Sequence, residues 1–148
     1  MNSTSLQIGV DDTIQRLNNQ HRLCPEQNFA LVGYSQGAGV IHGAMGPPGQ
    51  PYAGGPAERP KLNQEVIPKI KALVMFGDGG FKGGTGPTGQ PIPPFSPNLQ
   101  EKLRQNCHQR DPVSYLIDRK QLDNSLCFIY AWIDIMAYVP QNSCHIDP

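Results

Sequence analysis

At 148 residues with 38% hydrophobic content, the chain suits one compact domain able to bury roughly two thirds of its unfolded surface. Lysine plus arginine and aspartate plus glutamate balance at 12 each with no basic cluster, which excludes the electrostatic footprint of a nucleic-acid or anionic-membrane binder. The longest apolar run, Leu126 to Val139, contains Asp134 and falls short of the roughly 20 residues a membrane-spanning helix needs, so it reads as core.

In chain order, Met1 is followed by Asn2-Ser3-Thr4-Ser5, with neither the basic segment nor the apolar stretch of an export signal. Leu6, Val10, Ile14 and Leu17 recur at helical spacing and predict a helix from about Ser5 to Asn19, which Cys24-Pro25 ends. The short apolar run Asn28 to Gly33, bounded by turn residues, predicts a buried strand of a parallel sheet. A small-residue helix over Gln36 to Met45 follows at once. Residues 46–60 are dense in proline and glycine and predict a surface loop. Ile70 to Gly77 predicts a second buried strand, residues 79–97 a second Pro/Gly loop, and Asn98 to Gln105 a short helix. This order gives an α/β class with parallel strands in a single domain, residues 1–148, expected to act as a monomer.

The cysteines, Cys24, Cys107, Cys127 and Cys144, lie too far apart for a CxxC zinc or redox motif, which leaves disulfides, packing or free thiols. The chemistry gathers where the first strand meets its helix. Gly33-Tyr34-Ser35-Gln36-Gly37 is a G-x-S-x-G motif between an apolar strand and a small-residue helix, the context of a nucleophile elbow. A serine on so tight a turn takes a strained backbone conformation, and flanking glycines remove side chains that would clash. The amide of Gln36, at the start of the helix, then faces the space where an oxyanion develops.

Cys24-Pro25 and the strand leading to Gly33-Tyr34-Ser35-Gln36-Gly37-Ala38 resemble the cutinase and acetylxylan esterase family, whose elbow is typically G-Y-S-Q-G. Ala72 to Asp78 is similar to that family's next core strand. Cys107-His108-Gln109-Arg110-Asp111-Pro112-Val113 is similar to its C-x-x-G-D-x-V-C segment, and Met136-Ala137-Tyr138-Val139 resembles the end of its H-L-S-Y-V piece. The resemblance implies a three-layer α/β-hydrolase sandwich with a central parallel sheet, incomplete at its N-terminal end. It also implies an extracellular serine esterase that needs no cofactor or metal and cleaves cutin, acetylated polysaccharide or short-chain acyl esters.

Carried over residue by residue, Ser35 is the expected nucleophile, Gln36 the expected oxyanion donor and Asp111 the expected acid that orients a histidine. Arg110 stands where the family has glycine, and Ser114 where it has a second cysteine. The partner of Cys24 has no counterpart either, so neither family disulfide is expected. The alignment puts Ile135 at the family's histidine. Triad order in this fold is nucleophile, acid, histidine, which makes His145, downstream of Asp111, the candidate base. His42 and His108 read as surface or packing residues. The alternative is a catalytically impaired member that keeps the elbow but lacks the base and part of the oxyanion hole.

Overall fold

The structure, a computed structural model, describes residues 3–47, 60–79 and 91–106. Helix α1 runs Ser3–Leu23, strand β1 Phe29–Tyr34, helix α2 Gln36–Met45, strand β2 Ile70–Phe76, the one-turn helix α3 Pro97–Gln100 and strand β3 Leu103–Asn106. A 3-10 turn over Ile67–Lys69 introduces β2.

The three strands form one parallel sheet in the order β1-β2-β3. From Ala30 on, β1 pairs β2 in steady register, Leu31 opposite Leu73 and Tyr34 opposite Phe76. Side chains alternate across a strand, and burial follows: Phe29, Leu31 and Gly33 are buried while Ala30, Val32 and Tyr34 are half-buried. The buried set faces α1 and α2. There Leu6, Val10, Ile14 and Leu17 of α1 join Ala38, Val40, Ile41, Ala44 and Met45 of α2 and the inner residues of β1 and β2 in one core.

α1 outruns its expected end at Asn19 by a full turn. Its buried stripe continues from Leu17 to His21, which is 8% exposed, so the inward face persists through a polar residue that hydrophobic periodicity does not register. Asn18 holds the following chain against this turn: its Nδ2 donates to the Lys61 carbonyl at 2.9 Å and its Oδ1 accepts from the Asn63 amide at 2.8 Å.

Two further expectations change. Of the helix expected over Asn98 to Gln105, only the first turn forms, and Leu103–Asn106 instead lies along β2, Leu73 opposite Leu103. The end of the second Pro/Gly segment is not surface loop, because Ile92 and Phe95 are buried. Most of both Pro/Gly segments lies outside the described residues.

Candidate active site at the end of the first strand

β1 ends at Tyr34 and α2 begins at Gln36, so a single residue turns the chain from sheet to helix. That residue, Ser35, has φ 50° and ψ −110° and is the only non-glycine residue with positive φ among the described residues. A side chain is strained there, and neighbouring bonds hold the strain. The Ser35 amide donates to the Phe76 carbonyl at 2.8 Å, and the Ser35 carbonyl accepts from Ala38 at 3.1 Å and Gly39 at 3.3 Å. Its backbone thus closes the β1–β2 ladder and opens the helix. The hydroxyl makes no capping bond to α2, although serine commonly caps helices, and so it is not spent on the fold.

The tight turn brings α2 down onto the end of β1. A Cβ on Gly33 would meet the Gly37 carbonyl and Ile41 Cδ1 at 2.7 Å, whereas a Cβ on Gly37 would meet nothing within 4 Å among the described residues. Of the two glycines expected to relieve a clash, only Gly33 does so among the described residues. Gln36 stands in the first turn of α2, where amides have no partner within the helix and the dipole favours negative charge. Its side chain donates to Ser5 Oγ at 2.8 Å, tying the start of α1 to the start of α2. Ser35 and Gln36 are therefore adjacent at the C-terminal edge of the sheet, with a hydroxyl and a helix-start amide as the elbow reading requires. This arrangement can present a nucleophilic oxygen and a donor for the charge that its attack creates.

Asp111, His145, His108 and Ile135 lie outside the described residues, as do Cys107, Cys127 and Cys144. His42 does lie within them, in packed surroundings. It is 7% exposed, its ring stacked on Phe95 with centroids 4.7 Å apart and planes 7° apart. Its Nε2 lies 3.1 and 3.0 Å from the two oxygens of Asp78, a carboxylate 1% exposed that sequence reasoning treated only as the end of a strand. Gln105 Nε2 donates to the same carboxylate. The one available signal was a charged residue directly after the apolar run Ile70 to Gly77. No group of three or more metal-ligating side chains occurs among the described residues. No helix among them is long and apolar enough to cross a membrane. A groove lined by residues that include Asn18, His21, Arg22, Pro25, Asn63 and Glu65 lies at the C-terminal end of α1, away from Ser35.

The sequence profile of the family described as Cutinase matches residues 1–131. Acetylxylan esterase from Hypocrea jecorina is 32% identical over 76 residues, covering 51% of this chain and 25% of that protein. Acetylxylan esterase 2 from Talaromyces purpureogenus is 27% identical over 119 residues, covering 74% of this chain and 51% of that protein. The chain thus spans about half the length, or less, of the curated relatives it matches. Two solved structures of acetyl xylan esterase, one an iodinated complex, superpose with TM-scores of 0.60 and 0.59 at 27% identity, each covering 74% of this chain and 57% of the other. The parallel sheet and its helices accordingly have the α/β-hydrolase fold of those enzymes.

Proposed function

Because the chain belongs to the cutinase family, we propose that it is a serine carboxylic ester hydrolase working through an acyl-enzyme. The observation that carries this reading is the backbone of Ser35, φ 50° and ψ −110° between strand and helix, a strained conformation that has no purpose in a mere connection. Ser35 Oγ attacks the ester carbonyl carbon while a histidine, His145 in this reading, takes its proton. Asp111 holds that imidazole in the correct tautomer and stabilises its charged form. The oxyanion accepts from the Gln36 amide. Collapse expels the alcohol, which takes the proton from the histidine, and water then releases the acid by the same route in reverse.

The names of the relatives favour an acetyl ester on a polysaccharide as substrate over cutin or a longer acyl chain. Secretion and a monomeric state go with the same reading. So does a disulfide at Cys24, which is buried and is not a free thiol.

A fluorophosphonate probe tests the proposal, because it labels an activated serine and ignores an inert one. The expected outcome is labelling of the wild-type chain that disappears in Ser35→Ala, together with hydrolysis of a chromogenic acetyl ester. A chain that folds but takes no label supports instead the impaired family member, the reading suggested by Ile135 at the family's histidine position.

A further inference from the structure

The carboxylate of Asp78, 1% exposed, is the most enclosed charged group among the described residues. Taking a carboxylate out of water is costly unless donors are aimed at it, and here they come from two other elements. His42, seven residues beyond Ser35 along α2, places Nε2 at 3.0 and 3.1 Å from its two oxygens. A carboxylate only accepts, so Nε2 carries the hydrogen. Gln105 donates from β3. Asp78 itself follows Gly77, whose φ of 57° turns the chain off the sheet towards α2, and Phe95 stacks on the imidazole and fixes its plane.

The result is one carboxylate joining the end of β2, the middle of α2 and the end of β3, all at the sheet edge where Ser35 stands. α2 carries the Gln36 amide in its first turn. β3 leads on to Asp111, six residues past Gln105 in the sequence. The geometry points to Asp78, gripped by His42 and Gln105, as a positioning residue that fixes the helix bearing the oxyanion donor relative to the strand from which the acid-bearing segment departs. This inference rests on the serine-esterase reading above. A function in positioning also accounts for the chemistry chosen: apolar side chains of the same shape can replace a buried hydrogen-bonded pair at little loss of stability, but only directional bonds from two elements set their mutual register.

Asp78→Asn tests it, since the amide keeps the shape but leaves one accepting oxygen, to be shared by His42 and Gln105, and sets an NH2 against the Nε2–H of His42. Turnover is measured per active site titrated with the fluorophosphonate probe, well below the melting temperature. The expected result is a fall in kcat of about 10- to 100-fold, the scale of a small misplacement of reacting groups, with KM changed less than about twofold. His42→Gln retains an N–H donor and is expected to lose less than His42→Leu, and these two variants answer the question if Asp78→Asn fails to fold. A kcat per site equal to wild type in Asp78→Asn, or equal losses in the two His42 variants, overturns the inference. Amide hydrogen exchange gives an answer independent of turnover: Asp78→Asn should speed exchange at Gln105 and Asn106 and at Gly37 to Gly39, with Val10 to Leu17 unchanged. Unchanged exchange at the first two sites overturns the inference even if the wild-type chain hydrolyses nothing. A wild-type chain without turnover or label overturns the esterase reading alone.

Discussion

Gly33 and Gly37 flank the same serine yet answer to different constraints. A methyl group at Gly33 would be driven to 2.7 Å from the Gly37 carbonyl and from Ile41, backbone and core atoms that cannot step aside. Gly33→Ala should therefore lower stability by about 1–3 kcal/mol, the usual cost of overpacking, read from urea midpoints at constant slope. Gly37→Ala should leave the midpoint unchanged or raise it slightly, because alanine is the better helix former by up to about 1 kcal/mol and its methyl group meets nothing within 4 Å among the described residues. An equal loss in both variants would contradict this division. The motif alone could not make the distinction. It shows that a serine stands on a tight turn, which the φ of Ser35 bears out, but it treats the strand-side and helix-side glycines alike.

Helix α1 shows how far periodicity can be read and where it stops. Leu6, Val10, Ile14 and Leu17 were legible as an inward stripe, and all four are buried. The last turn was not legible, because its inward residue is His21 and its anchor is Asn18, which grips Lys61 and Asn63, 43 and 45 residues away. Asn18→Ala removes both bonds and should cost about 1–2 kcal/mol in chemical denaturation. Arg16→Ala breaks only an exposed pair with Asp12 at 2.7 Å and should stay within about 0.5 kcal/mol of wild type. The reverse order would mean that the 60–66 segment is not held by α1. Leu103–Asn106 illustrates the opposite case. Four residues are too few for a period to declare itself, and the free edge of β2 draws them into a strand, a tertiary context that outweighs local preference.

Across the whole molecule, the strand-to-helix turn that carries Ser35 and Gln36, the proposed nucleophile and oxyanion donor, could be read from one short motif because both lie on consecutive residues. The Asp78 network could not, since its members are 36 and 27 residues apart in sequence and meet only once three elements are packed. The expected base is tested at the same scale. His145→Ala should abolish ester hydrolysis and probe labelling if His145 has replaced the histidine missing at Ile135, leaving at most the weak residual rate, roughly 10³ to 10⁴ over water, of a triad without its base. Unchanged turnover in His145→Ala would remove His145 from the mechanism while leaving Ser35 in it. The backbone of Ser35 carries a further consequence. Its amide is the last rung of the β1–β2 ladder and its carbonyl the first acceptor of α2, so the proposed nucleophile has no hinge of its own and cannot fray while the sheet survives. On heating, loss of serine labelling and loss of far-ultraviolet ellipticity should fall on one curve, with no interval in which a folded chain carries a molten elbow.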